Sequence, residues 1–369
     1  YALHIYLWFS ISDWPKGLCE NGRLKKRKKS MFKKTLDISS SPHIYKGRST
    51  DDIMKNVVWA LLPVVGFSVY SFGWNALLVI ATATLACVMT EHVLCKLSKK
   101  ETTVQDYSAL ITGLLLGLTL PPIFPLWMAF VGGVIGIALG KYVFGGLGYN
   151  VFNPALVGRA VLQAAFPVAI TTWHPAFLAD RFTTVSGSVF TWPFMQPQFD
   201  AISGATPLSA FKFDGITTST AELAFGQISG SAGETCAVLI ALGGLYLIAR
   251  NMMSWRIPVA VLVSAFLLSG LLYLINSQVY PSPFFMLFSG GLMLGAVFMA
   301  TDMVSSPITP MGLWVYGGII GILTIVIRIW SGLPEGVMYS ILLANAISPH
   351  IDTVIRNRVY GTRRKVKAI

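Results

Sequence analysis

145-GGLGYNVFNPALVGRA-160 interrupts an otherwise apolar stretch of chain. It follows a glycine-rich apolar run over 124–144 and leads into another over 154–171. A membrane-spanning helix needs about 20 mostly apolar residues, and both runs approach that length. A helix that stops inside a bilayer exposes unpaired N–H and C=O groups. Such backbone is tolerated only where it is buried in protein or faces a polar cavity. This stretch therefore decides between a plain helical bundle and a fold built around broken helices. Asn150, Asn153 and Arg159 bring polar groups to the break. Asn153-Pro154 also reads as an ordinary N-cap with proline at the first helical position.

The chain repeats this pattern. The first half runs from 107-YSALITGLLLGLTLPP-122 through a glycine-rich span to the break at 145–160. The second half runs from 290-GGLMLGAVFMA-300 into 301-TDMVSSPITP-310 and ends in 339-YSILLANAISP-349. In each half a glycine-rich helix stops at a polar, proline-containing step. Apolar runs mark ten spans, at about 54–72, 74–95, 104–120, 124–144, 154–171, 235–250, 257–275, 284–300, 311–330 and 335–352. Five spans per half would invert the second copy, and broken helices at matching places in inverted halves point to a midplane site. The expected fold is an all-α polytopic membrane protein of about ten helices in two inverted five-helix repeats. Residues 51–171 and 235–352 would be the membrane repeats, and 172–234 a loop between them. A basic arm (1–50) and a basic tail (353–369) would flank them.

An acid at a membrane helix end is costly enough to mark function, which makes Asp302 a candidate for ion coupling. An exposed loop acid is the alternative for Asp302. Gly132, Gly133, Gly136 and Gly140 read as a small-residue packing face. 145-GGLG-148 lacks the preceding strand and the lysine of a phosphate-binding loop.

Composition supports a membrane protein. The 369 residues are 54% hydrophobic and 12% charged, against about 25% charged in soluble domains. A net charge of +12 would fit nucleic acid, but the basic residues gather at span ends and termini, which excludes that class. With the N-terminus inside, only Arg181, Lys212 and Arg328 of the 28 Lys and Arg fall outside, leaving 25 at inside loops or cytoplasmic helix ends. Inside loops attract positive charge, so both termini are expected in the cytoplasm and 172–234 outside. Cys19, Cys87, Cys95 and Cys236 form no CxxC pair, and buried small hydrophobes are the expected role. His43, His92, His174 and His350 show no metal-ligand spacing. Residues 1–30 place an apolar run before the basic run 23-RLKKRKK-29, the reverse of a signal peptide. They read as an upstream extension with no role in the fold.

The loop over 172–234 is longer than a connection without a role. It contains 200-DAISGATPLSA-210. Thr206 and Pro207 would start a short helix, Thr as N-cap and Pro at N1. The same end of a helix accommodates a phosphate, and Gly204 would allow close backbone approach.

Asp200, Ser203, Gly204, Ala205 and Thr206 together resemble the Asp-x-x-Ser-Gly-Ala-Thr flavinylation motif. Together with 40-SSPHIYKGRST-50 and 145–160, they make the chain from Met31 to Val366 resemble the D subunits of Rnf electron-transport complexes. The resemblance extends to the B subunits of sodium-pumping NADH:quinone reductases. One departure is 301-TDMV-304, where the family usually has Thr-Asp-Pro-Val. The resemblance implies FMN joined to the Thr206 oxygen through a phosphoester by a dedicated flavin transferase. It also implies a non-covalent riboflavin near an Asn-x-x-Asn-Pro break, which Asn150 and Asn153 match. The expected role is a flavoprotein subunit of a bacterial inner-membrane complex. That complex would couple ferredoxin/NAD electron transfer to Na+ or H+ movement. The subunit would not be catalytic alone, and its partners would be the A-, B-, C-, E- and G-type subunits. The quinone-reductase subunit, and a channel or permease of similar architecture, are the alternatives.

Overall fold

The computed structural model describes residues 49–356 except 101, 194, 196–203 and 235. The basic arm up to residue 48, the tail from 357, and Asp200 and Ser203 lie outside the described residues. The protein is an all-α polytopic membrane protein. Among the described residues, four helices are long and apolar enough to cross a membrane by length and composition. They are α1 (Thr50–Phe72), α2 (Trp74–Leu97), α10 (Arg256–Ile275) and α13 (Pro310–Trp330). Between α2 and α10 come α3 (Ser108–Thr119), α4 (Leu126–Ile137), α5 (Pro154–Ala165) and α6 (Pro167–Thr171). The loop pieces α7 (Pro207–Ser209) and α8 (Thr220–Phe225) follow, then α9 (Ala237–Ala249). The second half also holds α11 (Pro283–Phe288), α12 (Leu292–Leu294) and α14 (Val337–Val354).

All ten expected spans coincide with helices, but not all are continuous. The span expected over 154–171 is two helices that part at Phe166. Pro167 has no N–H to continue the ladder, and its ring clashes with the preceding turn. The span over 284–300 parts at 289–291, where Gly290 has φ 65°, a backbone that residues with a Cβ rarely adopt. The run over 104–120 begins its α-helix only at Ser108.

Both halves break in the same way. α4 passes into a π-helical turn, Ala138–Tyr142, and the chain restarts at α5 with Asn153 as N-cap and Pro154 behind it. α12 passes into a π-helical turn, Gly295–Met299, and the chain restarts at α13 with Thr309 as N-cap and Pro310 behind it. π turns often sit at functional places.

The glycine face read from the sequence is a packing face. A Cβ on Gly136 would lie 2.9 Å from the Pro154 carbonyl oxygen, and one on Gly140 would lie 2.7 Å from Pro154 Cα. α10 and α13 pack through Gly317 and Gly321 in the same manner. Close backbone approach of this kind is how helices associate where lipid offers no hydrophobic gain. A Cβ at Gly321 would meet the Val261 carbonyl oxygen at 2.4 Å. Gly321→Val should force α10 and α13 apart and cost at least about 1–3 kcal/mol, read as a lower thermal midpoint in detergent. An unchanged midpoint would show that the contact does not constrain the pair.

Candidate functional site

The two breaks meet. Asn150 Nδ2 donates to Asp302 Oδ2 at 3.1 Å across 152 residues of sequence. Asn153 Nδ2 donates to the Met299 carbonyl at 3.1 Å, at the end of the second π turn. Asp302 also accepts from Ser305 Oγ at 3.0 Å and from the Val304 N–H at 3.3 Å. It is therefore a bonded acid of the break, not a free loop acid.

A cavity forms around this junction. Its polar wall includes Lys141, Asn150, Asn153, Thr301 and Asp302, and its apolar wall includes Ile111, Leu115, Leu247 and Phe298. A mostly apolar cavity with a few convergent polar groups is the usual form of a small-molecule site. The two asparagines do different work within it. Asn153 Oδ1 takes the Ala155 N–H at 3.0 Å as the N-cap of α5, so its amide is already spent on the fold. Asn150 Nδ2 divides itself between Asp302 and the Phe152 carbonyl.

Lys141 lies on the first π turn and reaches the same cavity. Its Nζ is 2.7 Å from Glu91 Oε1 on α2, and it donates to Ser108 Oγ on α3. The side chains of Lys141 and Glu91 are 4% and 3% exposed. Thr103 Oγ1 donates to the same Glu91 oxygen. Sequence reading missed this group. The signal for it was a lone Lys between Gly140 and Tyr142 and a lone Glu late in an apolar helix, each costly in a membrane unless paired.

Of the flavinylation-like stretch, Gly204, Ala205 and Thr206 are described. Thr206 is the N-cap of α7: φ is −68°, ψ is 153°, and Oγ1 accepts the Ser209 N–H at 3.2 Å. It is 4% exposed, whereas Ala205 beside it is exposed. Gly204 donates its N–H to the Trp173 carbonyl at 3.0 Å, and a Cβ there would sit 2.6 Å from Ser229 Oγ. After α7 the chain forms a π turn, Ala210–Asp214, whose Lys212 donates to the Arg328, Ser331 and Leu333 carbonyls. Burial pushes the Lys212 ammonium below the ordinary lysine range. Phe211 and Phe285 rings stand 5.7 Å apart. The Thr206 segment is thus fastened to the C-terminal end of α13 and to α11. Free carbonyls at a helix C-terminus are natural acceptors for a lysine.

The hydroxyl of Thr206 has the chemistry a phosphoester needs. Esterification removes its proton but leaves lone pairs for the Ser209 N–H, so the cap and an ester are compatible. At the junction cavity Asn150 Nδ2, Lys141 Nζ and the Thr301 hydroxyl already donate within the protein, which leaves Asn150 Oδ1 and Thr301 Oγ1 as acceptors there.

A sequence profile of the NQR2, RnfD, RnfE family matches residues 37–361. Three relatives are similar along nearly their whole length. The chain is 40% identical over 342 residues to the D subunit of the proton-translocating ferredoxin:NAD(+) oxidoreductase complex of Clostridium ljungdahlii, covering 90% of this chain and 98% of that protein. It is 40% identical over 333 residues to the D subunit of the Na(+)-translocating ferredoxin:NAD(+) oxidoreductase complex of Acetobacterium woodii, covering 89% and 96%. It is 38% identical over 346 residues to the D subunit of the ion-translocating oxidoreductase complex of Aliivibrio salmonicida, covering 89% and 99%.

Proposed function

The chain belongs to the NQR2, RnfD, RnfE family, and on that premise we propose that it is the flavin-bearing membrane subunit of an Rnf-type complex. That complex would pass electrons between ferredoxin and NAD and couple the transfer to movement of Na+ or H+. Thr206 would hold FMN through a phosphoester made by a flavin transferase, and Asn150 and Asn153 would border a non-covalent riboflavin. Flavins supply one- and two-electron redox chemistry when bound. The chain supplies position: Gly204 lets the loop lie against Ser229, Lys212 ties it to α13, and the Asn150–Asp302 bond holds the two breaks together. Subunits of the A, B, C, E and G types would complete the complex, with the termini cytoplasmic and Thr206 on the outer face.

The observation that carries this reading is Thr206 itself. It is a hydroxyl at a helix N-cap, two residues after a glycine packed against Ser229. Flavin fluorescence of the denatured band, with and without that hydroxyl, tests the attachment.

Two relatives with the same 40% identity are named for different ions, protons in one and Na+ in the other. Overall identity therefore does not single out the ion that this chain would serve. Asp302, at the junction of the breaks, is the proposed coupling acid. Asp302→Asn keeps one acceptor oxygen for Asn150 and removes the charge. Bonds to a charged group are worth about 1.5–3 kcal/mol, and about 1.4 kcal/mol is tenfold. Ion-dependent turnover of the complex should fall by about tenfold or more, with covalent flavin unchanged. If turnover keeps its wild-type ion dependence, Asp302 has no such role.

A further inference from the structure

A second buried polar group lies apart from the Asp302 junction, where α5, the turn before α9, the 289–291 break and the turn before α14 come together. Arg159 on α5 donates from Nη2 to Glu335 Oε2 at 2.6 Å and from Nη1 to the Thr119 carbonyl at 2.7 Å. Arg328 on α13 spends Nη1 and Nη2 on the Met286 and Ser289 carbonyls at 2.5 and 2.9 Å. Glu335 thus has a cation bonded to it. Among the described residues Glu234 does not: its Oε2 takes the Ser231 N–H at 3.4 Å, and Lys212 is held on carbonyls. Glu234 is nevertheless 4% exposed.

The oxygens themselves indicate what is needed here. The Glu234 and Glu335 carboxyls line the same small cavity. Glu234 Oε1 and Glu335 Oε1 are buried and have no hydrogen-bond donor among the described residues. Glycines make room for both orphan carboxyl oxygens: a Cβ on Gly291 would lie 3.4 Å from Glu234 Oε1, and one on Gly290 3.6 Å from Glu335 Oε1. The cavity bordered by Ser231, Glu234, Gly291 and Glu335 measures about 20 Å³, enough for one water. Two ionised carboxylates are acceptors only. Facing each other in a buried site they resist both being charged, and one shared proton turns the repulsion into a hydrogen bond.

We propose that Glu234 and Glu335 bind one exchangeable proton, beside one water in this cavity. The proton arrives from hydronium, protonates Glu234 and leaves water. Glu234 then donates to Glu335, which keeps its bond to Arg159, and the charge of the group rises by one. Among the described residues, the charged groups facing the pair are Arg159 and Arg328. Arg159 fixes which carboxyl stays ionised. This site stands on its own geometry and holds whether or not flavin is bound at Thr206.

Infrared spectroscopy of the purified complex tests it. The wild type should show a protonated-carboxyl C=O stretch near neutral pH that shifts in D2O and persists when choline is exchanged for Na+. Glu234→Gln should lose that band, Asp302→Asn should keep it, and Glu335→Gln should shift it by replacing a charged acceptor with a neutral amide oxygen. If Glu234→Gln does not assemble, the Glu335→Gln shift and the sodium titration of the wild type decide. A wild type without the band, a band that Glu234→Gln leaves intact, or one that Na+ abolishes would overturn the proposal. The last result would make it a cation site.

Discussion

Thr206→Val is expected to leave a full-length, membrane-inserted chain whose denatured gel band is dark, whereas the wild type made alongside a flavin transferase fluoresces. Valine keeps the shape of threonine, and Thr206 is buried, so packing survives. What goes is the hydroxyl, and with it the only oxygen in the side chains of 204–206 that can carry a phosphoester. The helix also loses its cap to the Ser209 N–H, worth about 0.5–2 kcal/mol. That is small for a membrane bundle of this size, and size-exclusion behaviour should stay that of the wild type. Thr206→Ser separates the two effects. It restores a hydroxyl and a good cap, and should regain at least part of the fluorescence. A dark wild-type band, or a glowing valine variant, would remove the covalent assignment. The junction cavity and the Glu234 pair would be untouched by that outcome.

Lys141→Met should be the most damaging single change away from the loop. Lys141 and Glu91 are bonded at 2.7 Å with almost no exposure, and Asp106 stands 4.0 Å away. Glu91 Oε2 already has no partner among the described residues. Removing the ammonium leaves Glu91 with one hydroxyl donor, from Thr103. Breaking a buried pair from one side costs about 3–5 kcal/mol. The measurement is the thermal unfolding midpoint in detergent. The double variant Lys141→Met, Glu91→Leu should recover most of the loss, because replacing both partners by apolar groups is often near neutral. A single variant within about 1 kcal/mol of the wild type, far below that cost, would mean that the pair adds little. The same variant probes function, because Lys141 also borders the cavity with Asn150 and Asp302. Stability that the double variant rescues, without rescue of turnover, would assign Lys141 a part in that cavity.

Much was written locally in the sequence. Apolar runs and glycines marked where helices lie and where they touch, because helix length and close packing depend on nearby residues. Asn153-Pro154 and Thr206-Pro207 announced two helix starts, since an N-cap is a contact between neighbours. The breaks at 145–160 and 301–310 were visible for the same reason. Pro167 and Gly290 split two expected spans because hydropathy averages over residues that interrupt the backbone ladder. Only the tertiary structure decided what the polar groups meet. Asn150 and Asp302 are 152 residues apart, Glu91 and Lys141 50, Arg159 and Glu335 176. No periodicity carries such distances. Each of these groups is costly in an apolar interior until the packing of separate helices brings its partner to it, and that packing is a property of the whole chain.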